Sequence, residues 1–354
     1  MRTLTSLLLA LAAAAALLAA APSAGAAAGT WSATRGFTVG GPRDRESVPR
    51  AAIASDGTNA VAFRSKSGAL MLATGTAGGR FGAPRVIDRA GARDHSIAAA
   101  RGGVFLLAWE DGDGIRVAVR TRAGRRIVTR RVATSTGETI NGLQVAADPL
   151  GGWVIAERVF PSGPRRDRLY GVRVLSLDAA GRRIGDVQDL GAGQFGIDAR
   201  PTQALAVGPD GRAVLAFGRQ TPLGRPAPQP VVVATRPHGG TFGTPVVLPG
   251  PAAADPRVAV DGAGRALVSF TQIRSRGDAG VFGSPAVATV QPDGTLSAPL
   301  GPTLEFPGRA FAPSAAFTSA GAALVFQLKT KSEPFVQEAP VRAVTGAGRG
   351  VCVE

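Results

Sequence analysis

The sequence predicts an all-β protein, a six-bladed β-propeller with four-stranded antiparallel blades. One observation is a phrase of two apolar strands around a Gly-containing turn, which recurs about six times, as in "TQALAVGPDGRAVLAF" and "PRVAVDGAGRALVSF". The second strand of the phrase is too short for a helix and too continuously apolar for a sheet with one wet face. Two more short strands follow each phrase, and four antiparallel strands every ~50 residues are typical of propeller blades.

Each unit is predicted to begin with an apolar strand, often opened by proline, near residues 48, 94, 141, 200, 255 and 311. A turn dipeptide that tolerates positive φ then joins the first strand to the second. These turns are Asp56-Gly57, Gly102-Gly103, Gly151-Gly152, Asp210-Gly211, Asp261-Gly262 and Ala320-Gly321. Second strands such as "VFLLAWE" and third strands such as "PVVVATR" complete the apolar part of each blade.

The sixth unit supplies three clear strands and needs a fourth. The segment "TWSATRGFTVG", residues 30–40, precedes the first unit and has the pattern of a fourth strand. We therefore expect it to complete the last blade and close the ring. The C-terminal segment "RGVCVE" is an alternative fourth strand for this edge. For the fold as a whole, the alternative architecture is a β-sandwich or a two-domain β-protein.

The N-terminus has the pattern of a secretory signal peptide, predicted over residues 1–28. Arg2 precedes an apolar run from Leu7 to Ala21, and small residues of a cleavage region follow. An uncleaved anchor is the alternative. The remainder, residues 29–354, is predicted to be a single β-propeller domain that is secreted or held in the cell envelope. After removal of the signal peptide we expect no membrane-spanning segment, and we expect the protein to be a monomer. The sole cysteine, Cys352, leaves the fold without a disulfide and has no assigned role.

The chain carries a formal net charge of +15, mostly from arginine. Such an excess favours anionic partners: an acidic glycan, a cell-envelope polymer or an acidic protein surface. Arginine-, alanine- and glycine-rich usage is also typical of proteins from GC-rich genomes. Aromatic residues are sparse, which argues against base stacking and hence against a specific nucleic-acid partner.

In an up-and-down blade, the turns between strands one and two and between strands three and four share one end, here called the turn end. The other connections share the opposite end, here called the loop end. The turn end is uniformly tight, whereas loop-end connections vary in length and are rich in arginine, which favours a binding role. Turn-end arginines such as Arg182 and Arg183 weaken that contrast. The candidate binding residues are Arg50, Arg165, Arg166, Arg168, Tyr170, Arg219, Arg257, Arg274 and Arg276.

Catalytic and metal motifs are not found. His95 and His238 are predicted at opposite ends of the blades, too far apart for a zinc site, and His95 is predicted to be a polar loop residue. The stretch "WEDGDGIR" places Asp111 and Asp113 close together but lacks the spacing of a calcium loop, so a hairpin turn is predicted. No metal, cofactor or catalytic residue is expected.

The repeated wording "P-x-x-A…D-G-x-G-x-A-x-V-x-F" resembles that of secreted bacterial β-propeller proteins, including the sialidase-like superfamily. Sialidases carry an Asp-box, Ser-x-Asp-x-Gly-x-x-Trp; here Ser176 and Asp178 fit, but Gly181 comes one place late and no aromatic residue follows. That family also uses a tyrosine nucleophile, and the only tyrosine is Tyr170, which otherwise anchors the start of its strand. The resemblance therefore implies the fold and carries over no catalytic residue.

The sequence thus predicts a secreted, non-catalytic binding or scaffold protein. The alternative is a sialidase-type glycoside hydrolase or a polysaccharide lyase that acts on an acidic glycan. A carboxylate pair within reach of an arginine cluster at the loop end would favour the enzyme. The carboxylates placed there by the sequence are Glu46, Asp94, Glu138, Asp198 and Asp255.

Overall fold

The computed structural model describes residues 49–76, 81–90, 92, 94–121, 127–134, 138–161, 169–194, 203–218, 230–249, 253–277, 280–299, 309–318, 321–329, 341–345 and 350–352. These residues form antiparallel sheets that follow one another along the chain, so the all-β prediction is confirmed. Within each sheet the strand order is the chain order.

The first three sheets each contain four strands. Sheet 1 consists of β1 (Arg50–Ile53), β2 (Asn59–Arg64), β3 (Leu70–Gly75) and β4 (Arg85–Asp88). Sheet 2 consists of β5 (His95–Ala100), β6 (Val104–Glu110), β7 (Gly114–Arg120) and β8 (Ile127–Thr134), with a 3₁₀ turn (Arg101–Gly103) between β5 and β6. Sheet 3 consists of β9 (Glu138–Ala147), β10 (Trp153–Pro161), β11 (Leu169–Leu177) and β12 (Arg183–Gln194).

Sheets 4 and 6 also contain four strands, whereas sheet 5 has three in the described part of the chain and so falls short of the predicted four. Sheet 4 consists of β13 (Gln203–Val207), β14 (Ala213–Gly218), β15 (Val231–Arg236) and β16 (Val246–Val247). Sheet 5 consists of β17 (Ala253–Val260), β18 (Ala266–Gly277) and β19 (Gly280–Val290). Sheet 6 consists of β20 (Arg309–Thr318), β21 (Gly321–Lys329), β22 (Val341–Thr345) and β23 (Gly350–Cys352).

The central strands are apolar on both faces because alternate side chains enter two different cores. Every residue of β14 is buried. Val214 and Ala216 pack into the core shared with sheet 5, whereas Leu215 and Phe217 pack into the core shared with sheet 3. Full burial of such side chains contributes about 1.5–3 kcal/mol each. The continuous apolar runs of the sequence thus have a direct structural cause.

Successive sheets pack face to face, with their first strands adjacent. The first strand of every sheet from 1 to 5 contacts the first strand of the next, from β1 through β20. Separate apolar cores fill the junctions between sheets 1 and 2, 2 and 3, 3 and 4, and 4 and 5. The described residues between Pro49 and Cys352 belong to one compact unit. This is the arrangement expected of consecutive propeller blades.

Glutamine side chains join sheets 3 and 4 through backbone hydrogen bonds. Gln144 Nε2 donates to the Gln203 carbonyl at 2.8 Å, and the Leu205 amide donates to Gln144 Oε1 at 2.7 Å. Gln188 pairs in the same two-way manner with the backbone of Phe242, at 2.5 and 2.9 Å. These bonds satisfy buried polar groups and set the position of one sheet against the next.

The tight turns at the turn end owe their shape to an aspartate and a glycine. In the first turn of sheet 5, Asp261 Oδ1 accepts hydrogen bonds from the amides of Ala263 and Arg265 at 2.9 and 2.8 Å. The residue with positive φ is Gly264, at 77°, and not the predicted Gly262. The turn is therefore longer than a two-residue Asp-Gly hairpin, because the aspartate side chain bonds to amides two and four residues ahead.

The edge of sheet 6 differs from the main expectation. The fourth strand there is β23, which pairs with β22 from Arg342↔Cys352 to Val344↔Gly350. Residues 350–352, which belong to the competing segment "RGVCVE", thus pair with β22 at this edge. Residues 30–40, like the signal segment 1–28, lie outside the described residues.

Glycine and charge in "IRSRGDAGVFG", residues 273–283, predict a long loop-end connection, but the structure makes this connection much shorter. β18 continues to Gly277 and β19 begins at Gly280, and these two glycines are paired. Across a register shift between Ile273 and Ser275, the two strands continue to pair as far as Gly277 and Gly280.

Candidate functional site

The candidate binding residues of the sequence divide into three groups. Arg165, Arg166, Arg168 and Arg219 lie outside the described residues. Tyr170 is the second residue of β11. It thus lies at the start of its strand, where the sequence predicts it as an anchor of that strand and not as a nucleophile. The remaining candidates lie in strands.

Arg274 and Arg276 belong to β18, not to a loop, since the hairpin of sheet 5 is longer than the sequence indicates. Arg50 is the first residue of β1, and Arg257 lies in the middle of β17 after a bulge. Arg50 and Arg257 thus lie within first strands and not in the connecting loops that the sequence favours for them.

Arg50 and Arg257, here called the first-strand arginines, are both exposed. The Arg257 guanidinium donates to the carbonyl of Pro256 at 3.2 Å. Within the described ranges, neither arginine has a carboxylate partner. Arg50 stands at the loop end, since β1 runs from it toward the turn that leads into β2.

Two arginines at the turn end are neutralised locally. Arg182 pairs with Asp178 at 2.6 Å, and Arg265 pairs with Asp261 at 2.7 Å. Desolvation opposes ionisation of both carboxyls, but hydrogen bonds from the paired arginine and from backbone amides lower the pKa of Asp178 and of Asp261. Two turn-end arginines therefore present little unbalanced charge, whereas the first-strand arginines keep theirs.

The acidic turn of sheet 2 is a hairpin, as predicted. The Asp111 amide donates to the Gly114 carbonyl at 3.2 Å, and the Asp113 amide donates to Asp111 Oδ1 at 3.1 Å. Asp111 Oδ2 also pairs with Arg116 and, at 2.8 Å, with Arg131. Desolvation opposes ionisation, but these arginines lower the pKa of Asp111. A carboxylate already paired with two guanidinium groups is a poor calcium ligand.

His95 is a buried strand residue, not a loop residue. It is 1% exposed, and its Nε2 bonds to the Ala62 carbonyl of sheet 1 at 3.2 Å. Its Nδ1 has no hydrogen-bond partner. Burial lowers the pKa of His95, and nearby Arg50 and Arg64 lower it further, while the bond to Ala62 and the charge of Asp94 raise it. His95 is therefore neutral near pH 7 and ties sheet 1 to sheet 2.

Asp94 ties sheet 2 to sheet 3. Its Oδ1 accepts the His95 amide at 2.8 Å, and its Oδ2 accepts the Leu143 amide at 2.8 Å. Both carboxylate oxygens are thus engaged in structural hydrogen bonds. The enzyme alternative included Asp94 among its candidate carboxylates, and this position gives it a structural role instead.

A carboxylate pair with an arginine is present in sheet 3. Arg173 donates two hydrogen bonds to Glu138, at 2.7 and 2.9 Å. Glu157 is opposite Arg173 in the strand register and is 2% exposed, and its Oε2 has no hydrogen-bond partner. Burial raises the pKa of Glu157 to about 7; Arg173 lowers it and Glu138 raises it.

This group is named here the sheet 3 carboxylate cluster: Glu138, Glu157 and Arg173. Of these residues, only Glu138 was among the candidate carboxylates predicted from the sequence, and Glu157 and Arg173 were not predicted. Their signal was available, since "WVIAERV" and "YGVRVLSL" place charged residues inside strands that are otherwise apolar. A charge inside a strand buried on both faces requires a partner or a shifted pKa.

A second buried polar group joins sheets 3 and 4 at the turn end. Asp148 Oδ2 accepts Arg236 Nη2 at 3.3 Å and lies 3.0 Å from His238 Nδ1. Arg236 Nη1 also donates to Ser176 Oγ at 2.7 Å, and its guanidinium lies 5.9 Å from the Phe242 ring centre. His95 and His238 thus stand at opposite ends of the sheets.

In the described part of the chain, no group of three or more His, Cys, Asp or Glu side chains is arranged to hold a metal ion. Over the same residues, no helix has the length and apolar character needed to cross a membrane.

Comparison with known proteins yields similar structures but no family. No protein-family model and no curated protein matches the chain. Among solved structures, the polysaccharide lyase Uly1 is similar with a TM-score of 0.48 and 12% identity, over 81% of this chain and 75% of that chain.

Two further similar structures are a glycoside hydrolase and a lectin. A thermostable family-43 glycoside hydrolase has a TM-score of 0.40 and 12% identity, over 76% of this chain and 97% of that chain. The Aleuria aurantia lectin, in complex with alpha-methyl-L-fucoside, has a TM-score of 0.44 and 10% identity, over 86% and 93%. At these scores and identities, the likenesses assign neither a family nor an activity to this chain.

Proposed function

We propose that the protein is a secreted, non-catalytic binding module, built as a closed ring of six blades, that recognises an anionic partner through its loop end and its first-strand arginines. Six consecutive sheets and the adjacency of their first strands support the ring. In a propeller the first strands surround the central axis, so exposed arginines on them would line a common binding surface. We expect the module to act as a monomer.

The observation that carries the proposal is the unequal pairing of arginines. Arg50 and Arg257 are exposed and have no carboxylate partner among the described residues, whereas Arg182 and Arg265 are paired at 2.6 and 2.7 Å. An unbalanced guanidinium is available for carboxylate or sulfate groups of a partner, to which it can donate two parallel hydrogen bonds. We take an acidic glycan or cell-envelope polymer as the first partner to test.

The test is binding to polygalacturonate, with neutral dextran as the uncharged control. Arg50→Glu combined with Arg257→Glu should weaken binding about tenfold and reduce its salt dependence, because charges that contact the polymer are reversed. Arg182→Glu combined with Arg265→Glu changes the net charge equally at the turn end and should bind as the wild type does. Equal losses in both double variants would show that only net charge matters and would overturn the proposal.

The arginines of the predicted loop at residues 165–168 can be tested in the same assay. Charge reversal of Arg165, Arg166 and Arg168 should weaken polygalacturonate binding further. Unchanged binding in this triple variant would remove that segment from the proposed surface and leave the first-strand arginines as the site.

The alternative function is a glycoside hydrolase or lyase that acts on an acidic glycan. The sheet 3 carboxylate cluster favours it, since a carboxyl with a pKa of about 7 next to a second carboxylate suits a general acid. Its burial opposes it, because Glu157 is 2% exposed and has no access to a polymer. Turnover of polygalacturonate or sialosides that is lost in Glu157→Gln would establish the enzyme instead of the binding module.

A further inference from the structure

A cleft opens between sheets 2 and 3 at the turn end, away from the loop end. Its volume is about 500 Å³, within the range of sites for small molecules. Val104, Val119 and Val128 of sheet 2 and Trp153 of sheet 3 supply apolar walls. This cleft belongs to neither the first-strand arginines nor the sheet 3 carboxylate cluster.

Small turn residues form the sheet 3 side of the cleft. Gly151, Gly152, Ala179 and Ala180 line the sheet 3 side. At the turn end of the junction between sheets 3 and 4, by contrast, Arg236 and Phe242 are buried and in contact.

The charge pattern of the two junctions also differs. Asp148 is the first residue after β9 and is paired with Arg236. Arg101 is the first residue after β5, and therefore occupies the matching position in sheet 2, where it is exposed and lines the cleft. Arg130 is a second exposed arginine of the lining. Neither Arg101 nor Arg130 has a carboxylate partner in the part of the chain that the structure describes.

The one carboxylate of the lining does not offset these arginines. Asp148 Oδ2 is already engaged by Arg236 and His238. The wall also contains a donor without an acceptor: Trp153 is 2% exposed, and its Nε1 has no hydrogen-bond partner. A buried N–H without a partner carries a desolvation penalty.

We propose that this cleft binds a small organic anion with an apolar body, of the medium-chain carboxylate class. Its apolar chain packs on the valines and Trp153, and its carboxylate is held by Arg101 and Arg130. Apolar walls with a few charged groups at one side are typical of sites for such amphipathic ligands. The proposal is independent of the function proposed for the loop end.

The test uses isothermal titration calorimetry with octanoate, octylammonium and 1-octanol. Octanoate should bind at one site per chain, and octylammonium should bind at least about tenfold more weakly, because only the anion complements the arginines. Equal affinity for octanoate and octylammonium would overturn the proposal, and so would the absence of octanoate binding at millimolar concentration.

Variants separate the charge from the shape of the cleft. Arg101→Gln combined with Arg130→Gln should weaken octanoate binding about tenfold and leave 1-octanol binding unchanged. Ala179→Phe should weaken the binding of both, since it narrows the cleft and keeps both arginines. Arg182→Gln removes another turn-end arginine and should have no effect. Unchanged octanoate affinity in the double variant, with its thermal unfolding midpoint preserved, would contradict the assignment.

The Arg50→Glu and Arg257→Glu double variant should bind octanoate as the wild type does. This measurement distinguishes the two proposed sites. If the variant loses polygalacturonate binding and keeps octanoate binding, the polymer binds at the first-strand arginines and octanoate binds elsewhere, as the cleft proposal requires. Loss of octanoate binding in this variant would place the anion at the first-strand arginines and not in the cleft.

Discussion

Arg236 of β15 and Asp148, which follows β9, form an ion pair that joins two neighbouring sheets, with 4% and 5% of their side chains exposed. Burial lowers the pKa of Arg236, and the charge of Asp148 raises it in part. Removal of two charges from water is costly, so such a pair is retained only where hydrogen bonds satisfy its remaining atoms. Ser176 and His238 supply two such bonds here, whereas Arg236 Nε has no hydrogen-bond partner.

Removal of one member of this pair should strongly destabilise the fold. Arg236→Ala leaves Asp148 buried without its cation, and the free energy of unfolding should fall by about 3–5 kcal/mol. Arg182→Ala removes the exposed partner of Asp178 and should cost less than about 1 kcal/mol. Urea unfolding of both variants measures the difference. Similar losses in the two variants would contradict the burial of the Arg236 pair.

Gly211 should resist substitution more than Gly239 does. Both glycines have positive φ, at 76° and 67°, so alanine at either position has a backbone cost of about 1–2 kcal/mol. A Cβ at Gly211 would collide with the His238 ring and lie 2.9 Å from Asp148 Oδ1, whereas a Cβ at Gly239 meets nothing within 4 Å. Gly211→Ala should therefore lower the thermal midpoint clearly more than Gly239→Ala, and equal shifts would argue against this packing.

Glu157 should make the fold less stable as pH rises. Its pKa is about 7 in the folded protein and 4.5 as an ordinary value. A carboxyl whose pKa is higher in the folded than in the unfolded protein stabilises the fold at pH values below its unfolded-state pKa. This contribution is lost as pH rises through its folded-state pKa. At 1.36 kcal/mol per pKa unit, the loss between pH 4.5 and 7 is about 3 kcal/mol.

Glu157→Gln should remove that dependence, because an amide does not ionise. Chemical denaturation between pH 4.5 and 8 should show the stability difference between variant and wild type growing with pH. Parallel curves for the two proteins would mean that Glu157 is not desolvated as described.

His95 should have the opposite effect. Burial lowers its pKa in the folded protein, so its contribution to stability is present above the unfolded pKa of about 6.5 and is lost as pH falls. His95→Gln keeps a donor toward Ala62 and removes the titration. Between pH 7 and 5, the wild type should therefore lose more stability than this variant, as measured by urea unfolding at each pH. A greater loss in the variant would exclude a buried neutral imidazole.

The repeated phrase was sufficient to predict the strands, because alternate side chains such as Val214 and Leu215 enter different cores and make both faces apolar. The ends of the strands were harder to predict. Arg274 and Arg276 were expected in a loop because glycine and charge are typical of loops, yet backbone pairing continues through them across a bulge.

The candidate site was only partly predictable, because local sequence patterns do not show which distant residues the strand register brings together. Side-chain pairs between distant positions, such as Arg236 with Asp148 and Arg173 with Glu138, follow from sheet register and not from local pattern. His95 was assigned to a loop because it follows Asp94 in a polar stretch, although β5 begins at that histidine. The position of residues 30–40 stays a prediction, since these residues lie outside the described part of the chain.

Hydrogen–deuterium exchange with and without polygalacturonate tests the proposed binding surface most directly. When the acidic polymer is present, we expect slower exchange in the peptide that contains Arg50 and in the peptide that contains Arg257. Peptides that span Asp178 to Arg182 should not change. Neutral dextran should change exchange in no peptide. Protection confined to the turn-end peptides, or equal protection by dextran, would contradict a binding module that recognises anions through its first-strand arginines.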